Sequence, residues 1–251
     1  MKKIVLISGA TSGIGEATAR ILAQKDYGLI LCGRRADRLS TLEAQLKLQT
    51  KVLTLNFDIT NQGDVEAAVA QLPKEWRNIE VLINNAGNAH GLGPFQEGSL
   101  NDWETMIDLN VKGLLYLTKA ILPLMLPQNK GHIINIGSVA GIQPYPNGNV
   151  YCASKAAVHS FTQCLRMDLH TKGIKVSEIK PGMVETEFSL VRFKGDEQRA
   201  QRVYEGYEPL RPQDVADLIA YMLEAPAHVN LADVLIFPAA QAASGMVHKT
   251  L

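Results

Sequence analysis

The stretch KIVLISGATSGIG, residues 3–15, decides the fold because it joins an apolar run to a glycine-rich turn and a helical pattern. The run KIVLIS (3–8) predicts a buried strand, and apolar spacing near 3.6 begins at residue 14. Glycines at positions 9, 13 and 15 would let the backbone approach a diphosphate, whose charge a helix N-terminus favours. The spacing is GxxxGxG, not the GxGxxG of the common dinucleotide fingerprint, so a purely structural tight turn is the alternative.

Short β-branched apolar runs alternate with longer helical patterns along the rest of the chain. Further strands are predicted at 28–33, 51–57, 79–84, 132–137, 174–179 and 233–237. Helices are predicted at 14–25, 36–48, 62–72, 101–126, 151–172 and 212–224. The alternation predicts one α/β domain over residues 1–251, with a Rossmann-type doubly wound parallel sheet of about seven strands and helices on both faces. The irregular segment 182–211 is predicted to be a substrate loop or lid.

Charge and cysteine content limit the classes of partner. The chain of 251 residues carries 25 Lys and Arg against 25 Asp and Glu, so no overall charge would attract nucleic acid or an anionic membrane. Three cysteines without a CxxC pattern favour a reducing compartment. The N-terminal apolar run is too short for a signal peptide, and the stretch 113–127 is interrupted by Lys119 and Pro123. We therefore expect a cytoplasmic protein that binds neither nucleic acid nor membrane.

The second predicted strand ends in the sequence LCGRR. An acidic residue at this place normally holds the ribose 2′-hydroxyl of NAD, but here Gly33 is followed by Arg34 and Arg35. Guanidinium groups bind a 2′-phosphate through charge-assisted hydrogen bonds, so the arginine pair favours NADP(H) as the cofactor. The alternative is that both arginines are ordinary solvated loop residues, and nearby Asp37 would then only cap the next helix.

The segment YCASK places Tyr151 and Lys155 one helical turn apart on the same face. For the pair alone, the alternative is two exposed side chains on a helix surface with no shared role. Three further motifs, however, are predicted at the carboxyl ends of strands or the starts of helices: NNAG (84–87), Ser138 in NIGSVAG, and PGMVETEF (181–188). In a doubly wound sheet this edge is the ligand-binding side.

In this order, the motifs resemble those of the classical short-chain dehydrogenase/reductase family over essentially the whole chain. The segments DWETMID, GHIINIGS, NGNVY, VRFKGD and PAHVN look most like NADP-dependent 3-hydroxy acid dehydrogenases, also described as serine or L-allo-threonine dehydrogenases. Serine at position 8 replaces the threonine that usually begins the family's glycine turn, and we expect little effect because the hydroxyl is retained. Relatives in the family are commonly tetramers, so a homotetramer is expected.

The resemblance implies a role for each motif residue. Ser138, Tyr151, Lys155 and Asn110 would be catalytic, with Asn110 completing a proton relay beside Lys155. The implied cofactor-binding residues are Gly9, Thr11, Ser12, Gly13, Ile14, Gly15, Arg34, Arg35, Asp58, Ile59, Asn85, Ala86, Gly87, Tyr151, Lys155, Pro181, Gly182, Val184 and Thr186.

The Tyr–Lys pair suits proton transfer coupled to hydride transfer between an alcohol carbon and nicotinamide. Free tyrosine ionises near 10. An ammonium about 4 Å away would contribute roughly 4 kcal/mol at an effective dielectric near 20, or about three pK units. Lys155 would thereby lower the pKa of Tyr151 toward neutrality, and Ser138 would hydrogen-bond the substrate oxygen.

The predicted substrate is a small 3-hydroxy acid or 3-hydroxy amino acid, whose carboxylate needs a cationic receptor. Arg192 in VRFKGD is the main candidate, with Lys194 second, and Asn147 in QPYPNGN is a further substrate contact. The alternative is that Arg192 and Lys194 are solvated charges of the lid.

The six histidines show no metal-ligand spacing, so no metal is expected. A broad carbonyl or diketone reductase and a non-catalytic NADPH-binding sensor or scaffold remain alternative functions.

Overall fold

The computed structural model describes residues 2–250, and within them seven parallel strands form one sheet in the order β3-β2-β1-β4-β5-β6-β7. The strands are Lys3–Ser8 (β1), Tyr27–Gly33 (β2), Val52–Asn56 (β3), Ile79–Asn84 (β4), Gly131–Ile136 (β5), Ile174–Pro181 (β6) and Asp233–Ile236 (β7). Most are apolar and buried on both faces, as expected for a parallel sheet covered by helices. The doubly wound α/β fold predicted from the sequence is therefore confirmed.

Helices cover both faces of this sheet. They are Gly13–Ala23 (α1), Ala36–Leu46 (α2), Gln62–Ala70 (α3), Leu100–Ile107 (α4), Leu114–Met125 (α5), Asn149–Leu169 (α6), Phe188–Arg192 (α7), Glu197–Arg202 (α8) and Pro212–Glu224 (α9). Side chains of α1, α2 and α9 pack in one buried cluster against the sheet. Those of α3, α5 and α6 pack in a second cluster on the other face. The inner strands β1, β2, β4, β5 and β6 thus lie between two apolar layers, which is the physical reason for their continuous hydrophobic runs.

The helix predicted at 101–126 is one continuous helical segment that changes geometry in its middle. A π-helical turn, Asp108–Gly113, separates α4 from α5. By length and composition alone the segment Leu100–Gln128 could cross a membrane, with a mean hydropathy of 1.3. Its α5 part packs instead on the sheet, since Leu117, Ile121 and Met125 are fully buried in the second cluster. A π turn inserts an extra residue and often marks a functional position, and here it contains Asn110.

The carboxyl end of the sheet differs from the expectation in two places. The segment 182–211, expected to be irregular, contains the short helices α7 and α8. A two-stranded antiparallel hairpin, Gln241–Ala243 (β8) and Met246–Val247 (β9), was not predicted, because strands of two or three residues carry no usable hydrophobic pattern. The adjacent strands β1 and β4 mark the point where strand order reverses, so a ligand crevice belongs above their carboxyl ends.

Candidate active site

A cavity of about 610 Å³ lies above this switch point and collects most of the residues singled out in the sequence. The predicted site residues that line it are Gly9, Thr11, Ser12, Gly13, Ile14, Arg34, Arg35, Ile59, Asn85, Ala86, Gly87, Ser138, Tyr151, Lys155, Pro181, Gly182, Val184, Thr186 and Arg192. These residues come from the ends of six different strands and their following loops, so only the assembled sheet brings them together.

The glycine turn is packed against the NNAG segment. The Ser8 hydroxyl accepts hydrogen bonds from the backbone N–H of Asn85 (3.0 Å) and of Ala86 (3.1 Å), so serine performs the linking role expected of threonine here. The Asn85 side-chain amide donates to the Gly9 carbonyl (3.1 Å). Gly9 has φ +64°, and a Cβ on Gly15 would stand 2.4 Å from the Gly9 carbonyl oxygen. Side chains are therefore excluded from this turn, which keeps backbone amides accessible to a phosphate.

Arg35 makes hydrogen bonds to three side chains at the other end of the glycine turn. Its guanidinium donates to the hydroxyls of Thr11 (2.9 Å) and Ser12 (2.6 Å). It also pairs with Glu187 (2.8 Å), whose second carboxylate oxygen accepts from Arg38 (2.7 Å). Burial alone would raise the pKa of Glu187, but the hydrogen bonds and charges of the two arginines outweigh it and lower this pKa. An ionised carboxylate thus lies between two arginines at the place where sequence analysis expects a 2′-phosphate.

Arg34 points to the adjacent loop after β3. Its guanidinium is 3.4 Å from the Asp58 carboxylate, which also accepts from the backbone N–H and hydroxyl of Thr60 (both 2.9 Å). Burial opposes ionisation of Asp58, but the Thr60 hydrogen bonds and Arg34 outweigh it and hold the pKa of the carboxyl below its usual value. Asp58 is therefore engaged in its own loop and does not line the main cavity, whereas Ile59 does.

Tyr151 and Lys155 lie in the first two turns of α6, both buried, beside Ser138 at the end of β5. The Lys155 ammonium donates to the Ile136 carbonyl (2.9 Å), and Ser138 hydrogen-bonds Tyr151. Burial raises the pKa of Tyr151 above that of free tyrosine, although the Ser138 hydrogen bond and the Arg192 charge oppose the rise. Burial likewise lowers the pKa of Lys155 to about 8. Desolvation is thus the largest influence on the Tyr151 pKa, and it acts against the fall expected from Lys155.

Asn110 lies behind Tyr151, Lys155 and Ser138 and does not line the main cavity. Its side-chain amide donates to the Asn88 carbonyl (2.9 Å) and to the Ser154 hydroxyl (3.0 Å). Its oxygen accepts from the Asn88 backbone N–H (2.9 Å). A Cβ on Gly87 would contact both the Asn110 oxygen (3.3 Å) and the Lys155 ammonium (3.4 Å). Asn110 therefore fixes the loop after NNAG close to Lys155.

Arg192, at the end of α7, lines the main cavity beside Tyr151. Its guanidinium donates to the Tyr145 hydroxyl (2.5 Å) and lies 5.1 Å from the centre of the Tyr151 ring. The Gly91 backbone N–H donates to the Arg192 carbonyl (2.9 Å), which attaches the segment 182–211 to the loop after NNAG. The segment flagged around residue 147 contributes Tyr145 to this cavity. Asn147 itself is exposed, has φ +67°, and faces a smaller neighbouring cavity, because it forms the left-handed corner of its turn.

Several residues at the site were not predicted individually from the sequence, although Tyr145 and Glu187 lie in the segments QPYPNGN and PGMVETEF. Tyr145, Arg38, Glu187 and Gln241 approach the site through loops or helix faces whose positions depend on the tertiary fold. Gln241 accepts from the Met183 backbone N–H (2.8 Å), and a Cβ on Gly182 would stand 2.2 Å from the same Gln241 oxygen. The unpredicted β8–β9 hairpin therefore positions the PGMV segment.

The cavity fits a phosphorylated dinucleotide on three counts. The glycine turn excludes side chains, the amides at the start of α1 lie beside it, and arginines stand at the end of β2. Gly15 supports the turn by packing behind it and does not line the cavity. Buried Tyr151, Lys155 and Ser138 at the opposite end can exchange a proton with a substrate oxygen. This arrangement is able to carry out hydride transfer coupled to proton transfer.

Comparisons with known proteins agree with this geometry. The family profile described as short chain dehydrogenase matches residues 3–196. NADP-dependent 3-hydroxy acid dehydrogenase YdfG of Salmonella typhi is 47% identical over 98% of this chain and 100% of its own, and serine 3-dehydrogenase of Agrobacterium fabrum is 42% identical over 98% and 97%. A closed form of serine dehydrogenase complexed with NADP+ superimposes with a TM-score of 0.92, at 46% identity over 98% of this chain and 100% of that one. The chain belongs to the short chain dehydrogenase family.

Proposed function

We propose that this protein is an NADP(H)-dependent oxidoreductase that interconverts small 3-hydroxy acids or 3-hydroxy amino acids, such as 3-hydroxypropionate, serine and allo-threonine, with their 3-oxo forms. The relatives named for NADP-dependent 3-hydroxy acid and serine dehydrogenation support the substrate class. Arg34 and Arg35 at the end of β2 support NADP(H) over NAD(H).

Tyr151 is the proposed acid and base. When bound, the nicotinamide supplies a hydride to the carbonyl carbon of the substrate or accepts one from the alcohol carbon. Tyr151 donates a proton to the oxygen in reduction and removes it in oxidation, while the Ser138 hydroxyl hydrogen-bonds the same oxygen. The raised pKa of Tyr151 keeps the phenol protonated at neutral pH, which suits the reducing direction.

Lys155 and Asn110 are proposed to support that proton transfer. Lys155 would hold the nicotinamide ribose and supply positive charge close to Tyr151. Asn110 would anchor the water that connects Lys155 to solvent, and its hydrogen bonds to Asn88 and Ser154 keep the loop in place for this role. Oxidation of a 3-hydroxy amino acid would give a 2-amino-3-oxo acid, which loses CO₂ without further catalysis.

The observation that carries the choice of substrate is the guanidinium of Arg192, 5.1 Å from the Tyr151 ring centre. A carboxylate bound there in a bidentate manner would place the 3-carbon of a short acid near the proposed acid–base group. The Tyr145 hydroxyl, which now accepts from Arg192, lies beside the same position. Apolar side chains of Phe188, Leu92 and Val191 also line the cavity and favour the alternative of a broader carbonyl or diketone reductase.

An Arg192→Ala substitution separates the two substrate classes. We expect kcat/KM for serine or 3-hydroxypropionate with NADP+ to fall about 10- to 100-fold, the value of a charge-assisted hydrogen bond. Uncharged secondary alcohols should be affected far less. Arg199→Ala is a matched control, because Arg199 stacks on Phe193 (4.5 Å) in the same lid segment. Equal losses for charged and uncharged substrates in the variant, or equal rates with both classes in the unsubstituted protein, would favour the broad reductase.

The proposal also includes a homotetramer in the cytoplasm. Met167 on α6 and Leu126 after α5 are exposed apolar side chains on helices whose other faces are buried, and a subunit interface would cover them. Cys32, Cys152 and Cys164 are free, in keeping with a reducing compartment. Light scattering tests the assembly: the expected mass is four times the 27.4 kDa of one chain, and a monomer mass rejects it.

A further inference from the structure

A carboxylate is buried directly behind the proposed proton-transfer group. Glu178 on β6 has no exposed surface. One of its oxygens, Oε2, lies 2.6 Å from His159 Nδ1 and 3.5 Å from the Lys180 ammonium. The other oxygen, Oε1, is buried without a hydrogen-bond partner among residues 2–250. A buried carboxylate with a free oxygen is costly, so a role beyond packing is worth seeking.

The free oxygen of Glu178 is packed against the backbone that holds the proposed catalytic groups. A Cβ on Gly137 would stand 2.0 Å from Oε1, so only glycine fits there. Gly137 lies between Ile136, whose carbonyl accepts from the Lys155 ammonium (2.9 Å), and Ser138. The carboxylate therefore contacts Gly137, the residue just after β5 that joins the Lys155-binding carbonyl of Ile136 to Ser138.

The negative charge of Glu178 affects the pKa of Lys155. Burial lowers the pKa of Lys155 to about 8, and the negative charge of Glu178 opposes this fall. Without the carboxylate, the buried ammonium would lose its proton at a still lower pH. A neutral Lys155 could not supply the positive charge that the proposed proton transfer uses.

The other charged groups facing Glu178 form a closed network. Lys180 on β6 donates to Asp233 on β7 (2.6 Å), and Arg166 on α6 also pairs with Asp233 (3.0 Å). His159 Nδ1 is 3.9 Å from Asp233, so His159, Glu178 and Asp233 have the spacing of a metal site. The Lys180 ammonium already supplies the cation between the two carboxylates, and the network is accordingly one of ion pairs.

His159 orients the carboxylate from the solvent side. The Gln163 side-chain nitrogen lies 3.2 Å from His159 Nε2, an arrangement in which Nε2 accepts and Nδ1 donates to Glu178. In this arrangement the His159 ring satisfies Oε2 of Glu178.

We propose that Glu178 is a positioning residue for the proton-transfer step: its buried carboxylate, oriented by His159, keeps Lys155 protonated and in place behind Tyr151. This inference rests on the proposed function, in which Lys155 acts as a cation. Residues of β6 and of the outer face of α6, outside the sequence motifs, would then contribute to the reaction.

The test is the pH dependence of NADPH-driven reduction of a small aldehyde acid such as malonic semialdehyde. The rate should fall as pH rises through the pKa of Lys155. This fall in rate is the alkaline limb of the pH profile. Glu178→Gln keeps the shape of the side chain and removes its charge, so the alkaline limb should move to lower pH by about one unit. Glu178→Asp retains the charge and should leave the limb in place. Asp233→Asn is the matched control at the solvent edge of the network, and it should not shift the limb.

A second pair of variants leaves the buried residue intact in case Glu178→Gln does not fold. His159→Lys places a permanent cation beside the carboxylate and should move the limb downward, whereas the neutral donor in His159→Gln should not. An unmoved limb in folded Glu178→Gln or His159→Lys, or an equal shift in Asp233→Asn, overturns the inference. Failure of the proposed function is distinguishable, because the unsubstituted protein would then show no NADPH-driven reduction.

Discussion

The two ends of the main cavity hold charge in different ways. At the end beside the carboxyl end of β2, called the adenosine end here, Arg34 is exposed and Arg35 is half-buried. They are already paired with Asp58 and Glu187, and these carboxyls have pKa values below their usual range. At the catalytic end, Tyr151 and Lys155 are buried, and burial shifts both pKa values toward the neutral forms.

The difference shows that solvent access determines whether a charged group is suited to binding an anion or to transferring a proton. Exposed ion pairs contribute little and exchange partners easily, so the arginines can trade a carboxylate for a phosphate at small cost. Buried groups feel little screening, so a neighbouring charge decides their protonation state. The adenosine end is suited to binding an anion, and the catalytic end is suited to moving a proton.

The strongest test of the catalytic end is Tyr151→Phe, which removes the proton-donating hydroxyl and retains the ring. We expect kcat for reduction to fall about 10³-fold, within the range of general acid–base contributions. The dissociation constant for NADPH, measured by fluorescence, should stay unchanged because the ring still packs beside Phe188. Lost NADPH binding with residual turnover would contradict this role.

The pH dependence of oxidation tests the same end without a substitution. A raised pKa means that the basic form of Tyr151 is scarce at neutral pH and increases tenfold per unit below the pKa. We therefore expect the rate of serine oxidation at saturating NADP+ to rise between about pH 6 and 8, by up to about tenfold per unit. A flat profile over this range would mean that the phenol is already ionised.

At the adenosine end, Arg35→Ala should raise KM for NADP+ by about 10- to 100-fold, the value of charge-assisted hydrogen bonds to a phosphate. KM for NAD+, which lacks the 2′-phosphate, should change little, and kcat should be retained. Arg20→Ala, which removes a surface arginine paired with Glu16 on α1, is the control and should leave both constants unchanged. A comparable loss with NAD+ would show that Arg35 supports the glycine turn through Thr11 and Ser12.

The smallest expected effect comes from Glu187→Gln. This change removes the carboxylate that pairs with Arg35 and Arg38 and would compete with a 2′-phosphate. Because exposed pairs are worth at most about 1 kcal/mol, affinity for NADP+ should rise less than about fivefold in calorimetry. Weaker binding of NADP+ would instead mean that Glu187 organises the two arginines for the phosphate.

The parts of the site that were predictable from the sequence are those built by local chain geometry. The glycine turn, the arginines at the end of β2 and the Tyr151–Lys155 pair each lie within a few residues of a strand end or on one helix face. Topology then brings every strand end to one edge of the sheet. The cavity accordingly contains nearly all of these residues.

The unpredicted parts are long-range contacts between side chains. The bond from Arg192 to Tyr145 joins residues 47 positions apart, and the contact between Arg35 and Glu187 spans 152. Asn147 lies in a neighbouring cavity and not in the main one, and its positive φ is explained by turn geometry. The Tyr–Lys spacing predicted a lowered Tyr151 pKa from the lysine charge, but burial, which no local spacing reveals, raises this pKa.

By itself the sequence determined the order of strands and helices, the phosphate-binding turn and the residue types that exchange a proton, because these depend on patterns within short segments. The tertiary structure alone decided which charges face one another and which lie out of water. Packing between distant elements determines that Arg192 lies above Tyr151 and that Glu178 lies behind Lys155. Desolvation and long-range electrostatics are properties of the assembled fold, and no local pattern of residues encodes their balance.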